Sequence, residues 1–472
     1  MRTGVLILLR KGYPFFMRAQ IQDMTTGKLS RQIFLFSVPL ILSNLLQVLF
    51  NMSDIAVVGR FSGSSALGSV GSTATLVTLF TGFLIGMSSS VNVRVARYMG
   101  AGDEDGVRRS VHTSLLLCFF VGLTLTALGL CFARPLLSLM NTKDELIDGA
   151  VLYLHIYLLG MPAMAVYNFG NAVFSATGDT RRPLRFLLIA GVLNVTLNLF
   201  FVICCKWSVA GVALASVLSQ YISAFLILRS LAVSDTAYAL HIRELRICRN
   251  EARATLGLGL PSGFQNSIFA IANLFIQSGV NRFDTRIVEG NSAASNADAL
   301  IYDAMAAFYI ACSSFMSQNL GARKKDRVLK SYFISLGYSF SIGMALGLLL
   351  IQCGPTFLSL FTGDTDVIEA GMYRLTVMGF SYGVSAFMDT TIAASRGLGK
   401  SLIPTIIVIM GSCVFRVIWV YTVFAYFGTI QSLYLLYIFS WSITAIAEIV
   451  YFVHCYKKQT ANLEIPETVL ST

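Results

Sequence analysis

Long apolar segments dominate the chain, and short gaps rich in glycine, proline and charged residues separate them. A helix needs about 20 mainly apolar residues to cross a bilayer. Twelve windows meet this requirement, and they lie near 34–58, 66–90, 111–133, 151–173, 186–204, 208–229, 255–280, 293–318, 332–352, 372–394, 403–424 and 433–455. The pattern therefore predicts an all-α membrane protein with twelve transmembrane helices.

The first window carries a stripe of polar residues in an otherwise apolar segment. Asn44, Gln47, Asn51 and Asp54 follow one another at spacings of three, four and three. On a helix these spacings place all four side chains on one face. An ionisable side chain is costly inside a membrane and by default indicates a functional site. We interpret the stripe as the lining of a wet cavity; the alternative is that Asp54 lies at the lipid–water interface without a role.

Composition excludes a soluble domain. The chain has 472 residues, of which 55% are hydrophobic and 12% are charged, whereas soluble domains have about 25% charged residues. The formal net charge of +11 does not indicate nucleic acid, because the charges lie in the short gaps between apolar segments. Nine cysteines include no CxxC motif and lie mostly in apolar segments, so we expect neither disulfides nor a cysteine metal site.

The lysines and arginines predict the topology. If the amino terminus is inside, 27 of the 35 lie on the inner side and seven on the outer side, with Arg374 among the outer ones and Arg416 alone within a helix. The positive-inside rule then places both termini in the cytoplasm. The first 23 residues lack a secretory signal; they form either a basic segment on the membrane surface or an upstream extension before Met24.

The two halves of the chain repeat each other. Pro39 and Pro261 are 222 residues apart, and the same offset relates Asn44 to Asn266. Two copies of a six-helix unit enter the membrane in the same orientation, so a pseudo-twofold axis along the membrane normal should relate two lobes around a central cavity. We predict a leader, a first lobe, a cytoplasmic linker, a second lobe and a cytoplasmic tail at 1–27, 28–230, 231–254, 255–456 and 457–472.

Five motifs, of which four recur in register in the two repeats, resemble the multidrug and toxic compound extrusion (MATE) family. They are NMSDIAVVGR in the first helix, the turns MGAGDEDGVRRS and SQNLGARKKDRV, and the turns SATGDTRRP and SRGLGKSLIP. The likeness covers 28–456 and is nearest to the bacterial DinF-like and MepA-like exporters. It implies a monomeric antiporter of the bacterial cytoplasmic (inner) membrane. Such a protein expels organic, often cationic compounds by rocking two lobes among the membrane lipids, with Na⁺ or H⁺ as coupling ion and no cofactor.

The resemblance assigns an ion-coupling site to the first lobe. Asp54 matches the acid that binds the coupling Na⁺ or proton in this family. Asn194 and Asn198 match a pair of positions that reads Asn and Asp in some members. Together with Gln47 and Asn51, these amides would supply the oxygen ligands that a hard cation prefers. Asp54 is thus the candidate Na⁺ ligand, and the residues are equally compatible with a proton carrier.

Substrate contacts are expected along the central cavity, where aromatic rings can stack on flat cations. The candidates are Asn44, Tyr167, Gln265, Asn266, Phe269, Asn273, Asp298, Tyr382 and Asp389. For Asp389 the alternative is a structural pair with Arg416 in the next helix. Glu448 is interpreted as interfacial.

A cation-coupled antiporter is the preferred function. The alternative is a flippase or exporter of lipid-linked oligosaccharide, whose pyrophosphate requires several arginines in the cavity. The predicted helices place only Arg416 well inside the membrane. An enzyme would need a cluster of acids, histidines or cysteines at the membrane edge. The sequence has none at suitable spacing, so we do not expect an enzyme.

Overall fold

Thirteen helices joined by short turns make up residues 22–463, which are the residues that this computed structural model describes. In chain order, α1 to α13 are Leu29–Phe61, Ser64–Ala101, Glu104–Leu139, Asp144–Leu158, Met161–Ala176, Arg181–Cys204, Ser208–Ala232, Arg249–Val280, Thr285–Gly321, Lys325–Leu358, Thr365–Gly397, Leu402–Phe427 and Ile430–Thr460. Most of the predicted leader, residues 1–21, and most of the predicted tail, residues 464–472, lie outside the described residues.

Eleven of the twelve predicted windows each fall within one helix, and the fourth is broken. The window 151–173 spans α4 and α5, which meet at an angle of 47°. Pro162 lies in the first turn of α5, where its missing N–H leaves no hydrogen bond unmade. With this bent pair taken as one crossing, residues 22–463 contain the twelve predicted crossings.

Two of these crossings are more polar than the others. Nine single helices and the bent pair are long and apolar enough to span a membrane by length and composition. The remaining long helices are α8 and α11, with 32 and 33 residues. They are long enough but carry Gln265, Asn266, Arg374 and Asp389 in the middle of their lengths. Such side chains require a wet or protein-lined environment in the bundle.

The helices form two lobes with separate hydrophobic cores. One core is built from buried residues between Val57 and Leu240, and another from residues between Ile276 and Cys455. Helices α1 and α8 connect the lobes, because α8 packs along α2 while the first half of α1 packs against α9 and α10. These contacts are related by the repeat of the sequence, as expected for two six-helix lobes around a pseudo-twofold axis.

The lobes approach most closely at one end of the bundle, where α2 ends at Ala101 and α9 ends at Gly321; we call this the basic end, after its arginine- and lysine-rich turns. A Cβ atom at Gly100 would lie 1.8 Å from the carbonyl oxygen of Gln318, and one at Gly321 would lie 2.0 Å from that of Arg97. At Gly86, nearer the middle, the distance to the carbonyl oxygen of Ser262 would be 2.4 Å. Only glycine permits these backbone contacts.

Hydrogen bonds between the lobes occupy the same half of the bundle. Ser314 Oγ donates to Asn92 Oδ1 at 3.0 Å, and Arg94 pairs with Glu251 at 2.6 Å. About midway along α8, Ser267 Oγ donates to the Leu79 carbonyl of α2 at 3.0 Å. The two lobes are therefore held together from the middle of the bundle to the basic end.

Segments outside the helices reinforce the basic end. The Met24 backbone N–H donates to Gln318 Oε1 at 2.9 Å, and the Met24 side chain is fully buried. In the segment between α7 and α8, Tyr238 is fully buried and accepts a hydrogen bond from Arg182 at 3.0 Å. The connection between the lobes thus packs onto the first lobe.

Candidate functional site

Asp54 forms the centre of a closed polar ring in the first lobe. It lies on α1, is 9% exposed and faces α6 and α7. Asn198 donates to one carboxylate oxygen, and Ser216 Oγ donates to the other at 3.1 Å. Asn194 closes the ring, because it donates to Ser216 Oγ and accepts from Asn198, each at 3.3 Å. The structure therefore brings together three of the five predicted ion-coupling residues and adds Ser216.

The ring contains an oxygen atom without a hydrogen-bond partner, which could bind a small cation together with the carboxylate. Asn198 Oδ1 is buried beside the carboxylate and has no hydrogen-bond partner. Carboxylate and amide oxygens are the ligands of hard cations. Within residues 22–463, no group of three His, Cys, Asp or Glu side chains is placed to hold a metal ion. One carboxylate among neutral oxygens matches a singly charged ion, either Na⁺ or a proton.

The other members of the polar stripe lie elsewhere. Gln47 and Asn51 are exposed, and in the described part of the chain neither is hydrogen-bonded to Asp54. Asn44 instead donates to the backbone oxygen of Asp303 in the second lobe at 2.8 Å. The stripe covers an arc of α1 that extends across the gap between the lobes, so residues on one helical face reach different partners.

A cavity of about 820 Å³ lies between the lobes, lined mainly by the second. It contains seven of the nine predicted substrate residues: Gln265, Asn266, Phe269, Asn273, Asp298, Tyr382 and Asp389. Asn44 is absent from its walls because it is bonded to α9. Tyr167 is absent because it is buried in the first lobe, where its hydroxyl donates to the Pro183 carbonyl at 3.3 Å.

At the end of the cavity away from the basic end, Asp298 is part of a buried network. Its carboxylate contacts Arg374 Nη2 at 2.5 Å and accepts a hydrogen bond from Tyr382. Arg374 Nη1 also donates to Asn291 at 2.8 Å, and Tyr434 donates to the same oxygen at 3.1 Å. Arg374 is buried, with 7% of its surface exposed. It lies inside α11, where Asp298 compensates its charge.

Asp389 and Arg416 both line the cavity without forming the structural pair considered above. Asp389 accepts a hydrogen bond from Ser385 at 2.9 Å. Arg416 donates to Asn273 at 3.2 Å and to Ser440 at 3.4 Å. No salt bridge of Arg416 is present in the described residues. Each side chain is therefore held by neutral partners.

Two charged residues near the basic end were assigned incorrectly or missed. Glu448 is fully buried, and neither of its carboxylate oxygens has a hydrogen-bond partner, so its interpretation as interfacial is wrong. Arg396 lines the cavity and donates to Gln265 at 3.0 Å, while its Nε has no partner. The cavity thus contains Arg374, Arg396 and Arg416 rather than one arginine. Arg396 was read only as part of a turn motif, and no spacing signal marked it as cavity-lining.

Comparison with known families shows the same repeat. The MatE family model matches residues 39–200 and again residues 261–422. The second match is displaced from the first by 222 residues at both ends, which is the offset found in the sequence. The two matches together cover more than half of the chain.

Individual relatives are similar over most of their lengths. The probable multidrug resistance protein YpnP of Bacillus subtilis is 27% identical over 388 residues, 82% of this chain and 87% of the relative. An FAD transporter of Shewanella oneidensis is 23% identical over 373 residues, 76% of this chain and 80% of the relative.

A solved structure described as the outward-facing conformation of a multidrug resistance MATE family transporter has the same fold. It superposes with a TM-score of 0.86 at 22% identity, covering 94% of this chain and 99% of that one. Because the family model matches both halves, this chain belongs to the MatE family, the multidrug and toxic compound extrusion transporters, and is a transmembrane transporter rather than an enzyme.

Proposed function

We propose that the protein exports small organic compounds across the bacterial inner membrane in exchange for Na⁺ or a proton. One observation carries this proposal: an enclosed carboxylate site in one lobe is separate from a large cavity lined mainly by the other. Helix α1 links them, because Asp54 belongs to the first site while Asn44 bonds to α9 beside the cavity. The names of relatives as multidrug resistance proteins support the same function.

The coupling follows from the ring around Asp54. A cation or proton that binds the carboxylate rearranges the hydrogen bonds of Asn198 and Ser216, whose oxygens can serve a cation as ligands, and so changes how α1 packs on α6 and α7. Each ligand shifts the equilibrium between lobe arrangements by its difference in affinity for them. If the basic end faces the cytoplasm, as its charge predicts, the arrangement described here is closed on the cytoplasmic side.

The cavity has a surface suited to flat organic molecules. Phe269, Tyr382, Tyr437 and Trp441 contribute aromatic rings to its wall. Asp54 and the cavity belong to one chain, so a monomer contains every element of the proposed mechanism. No cofactor is required, because the ion gradient supplies the driving force.

Transport in proteoliposomes tests the proposal. The purified protein is reconstituted, an Na⁺ or a proton gradient is imposed, and the movement of an organic dye is followed. We expect Asp54→Asn to reduce gradient-driven transport to the level of vesicles without a gradient. The matched control Asp144→Asn, at an exposed position in the first turn of α4, should transport like the wild type. Gradient-driven transport that persists in Asp54→Asn would refute the role of this carboxylate.

The three cavity arginines favour a second candidate, a flippase or exporter of lipid-linked oligosaccharide, more than the sequence did. Arginines bind pyrophosphate through paired hydrogen bonds. Arg374, however, is already paired with Asp298, which leaves Arg396 and Arg416. Translocation of a fluorescent lipid pyrophosphate in the same vesicles, at a rate above that of the organic dye, would favour the flippase.

A further inference from the structure

We propose that Arg416, supported by Arg396, binds the acidic group of aromatic substrates, a carboxylate or a phosphate. This inference rests on the proposed function only in treating the cavity as the transport site. It specifies the substrate class: an aromatic molecule with an oxyanion, rather than the organic cation that the family resemblance implied.

Arg416 is a buried cation without a salt bridge in the described residues, although the Asp389 carboxylate lies close enough to interact with its charge. It is 2% exposed and lines the cavity. Its hydrogen-bond acceptors, on Asn273 and Ser440, are neutral, and no salt bridge of it is present in residues 22–463. Burying a charge without a partner is costly. An anion that enters the cavity would remove this cost, and guanidinium binds carboxylate and phosphate through two parallel hydrogen bonds.

Aromatic rings surround the same guanidinium group. Its carbon lies 4.9 Å from the ring centre of Tyr437, 5.9 Å from that of Trp441 and 5.8 Å from that of Phe269. All three rings belong to the cavity wall. They hold the arginine in place through cation–π contacts and offer flat surfaces on which an aromatic substrate can stack. The arrangement therefore matches a ring that carries an acidic group.

Arg396 provides a second positive charge, and the residues that hold the two arginines lie on the same side of α8. Arg396 is held by Gln265, and Arg416 is held by Asn273; these residues lie eight positions apart on α8, on one side of the helix. The anchors are thus about 12 Å apart, at a rise of 1.5 Å per residue. Arg396 Nε is buried and has no partner. In the described residues, no carboxylate accepts a hydrogen bond from the guanidinium group of either arginine.

Four acidic residues lie in or near the cavity, and none removes the positive charge of Arg416 by a salt bridge. Asp298 is paired with Arg374. Asp389 is hydrogen-bonded by Ser385 and interacts electrostatically with Arg416 and Arg396 without a salt bridge to either. Asp303 lies on α9, where its backbone bonds to α1, and Glu448 has no hydrogen-bond partner. In the described residues, the guanidinium groups of Arg416 on α12 and Arg396 at the end of α11 therefore stay available for an anion.

A set of three probes with one ring system tests the proposal. Binding of naphthalene carboxylate, naphthylmethylamine and neutral naphthalenemethanol is measured by calorimetry on the full chain in lipid nanodiscs, without an ion gradient. We expect the carboxylate to bind about tenfold more tightly than the amine. Arg416→Gln should weaken carboxylate binding about tenfold and leave the neutral probe unchanged, while Arg416→Lys should retain part of the affinity because a lysine keeps the charge but not the paired donors.

The control is Arg134→Gln, which removes the same charge at an exposed pair with Asp148 and should change nothing. If Arg416→Gln does not fold, Arg396→Gln provides the same test with an expected loss of about threefold. Tighter binding of the amine, or equal weakening of all three probes, would overturn the proposal. Asp54→Asn should keep the preference for the carboxylate even though it loses gradient-driven transport, so the two proposals can fail separately.

Discussion

The two lobes share a helical scaffold but arrange their polar groups in opposite ways. In the first lobe, Asp54 and its partners hydrogen-bond to one another in a closed ring. In the second, charged side chains face a cavity of about 820 Å³. The repeat makes the contrast explicit, because the position equivalent to Asp54 is Ile276. Duplication therefore preserved the packing of the helices, while the chemistry diverged at equivalent positions.

This difference indicates that the two lobes have different roles, one in ion binding and the other in substrate binding. A closed ring with one carboxylate selects a small ion and excludes larger molecules. A wall with several charged groups and aromatic rings accommodates an organic molecule. The lobes can be distinguished experimentally, because changes in the ring should alter ion dependence and changes in the wall should alter stability or substrate binding.

The largest effect is expected from breaking the buried pair of the second lobe. Asp298→Asn leaves Arg374 buried without its partner, which should destabilise the protein by about 3–5 kcal/mol and lower its thermal midpoint in detergent. The control is Asp366→Asn, which breaks an exposed pair between Arg286 and Asp366 that joins the same two helices and should cost about 0–1 kcal/mol. Equal effects of the two variants would show that the Asp298 network does not stabilise the lobe.

A smaller effect is expected in the ring of the first lobe. Asn198→Ala removes a hydrogen bond to a charged carboxylate, worth about 1.5–3 kcal/mol, together with the unpartnered amide oxygen. For a Na⁺-driven exporter, the Na⁺ concentration at half-maximal transport should rise about tenfold or more. Thr196→Ala on the same helix, whose hydroxyl bonds only to the Val192 carbonyl, should leave it unchanged.

Ser216→Ala should have a milder effect of the same kind. It removes the second donor to Asp54, at 3.1 Å, but leaves the amides in place. A loss of about 1 kcal/mol corresponds to a severalfold change in the ion dependence of transport. Ser219→Ala, one turn away on α7, loses only a bond to its own helix. Substrate affinity should stay constant in both variants; a change confined to substrate affinity would contradict the division between lobes.

The smallest effect is expected at the exposed positions of the polar stripe. Gln47→Ala and Asn51→Ala change no hydrogen bond to Asp54 and should leave the ion dependence of transport within about twofold, as for surface substitutions away from specific features. The measurement is the ion titration used for the ring. A tenfold shift in either variant would mean that α1 rotates toward these residues during transport, and the ring would then be larger than described.

The sequence predicted the scaffold better than the site. Hydropathy and the repeat were sufficient for the helices and the two lobes, because both depend on many residues at once. Asp54 was found because a carboxylate is rare in an apolar helix, whereas Asn194 and Asn198 were identified through the family resemblance. Ser216 was missed because serine is common in such helices and gives no signal on its own.

The sequence could not predict which side chains contact each other across helices. Arg374 was counted among the outer-side charges, and nothing local shows that Asp298, 76 residues away, compensates its charge. Likewise, helical spacing alone could not show that Asn44 and Asp54, on one face of α1, reach different lobes. Glu448 and Arg396 lie near helix ends in the sequence, and only the packing of neighbouring helices buries them.

The glycine contacts at the basic end have a consequence for the energy of opening. Gly86, Gly100 and Gly321 bring backbone against backbone, so separating the lobes at these three contacts moves no side chain out of a packed site and exposes mainly peptide groups to water. At these contacts the lobes can part and close again without repacking, while the Arg94–Glu251 pair and the Ser314–Asn92 hydrogen bond must also break. The two arrangements can then lie within a few kcal/mol of each other, a difference that the binding of one ion or one substrate molecule is able to reverse.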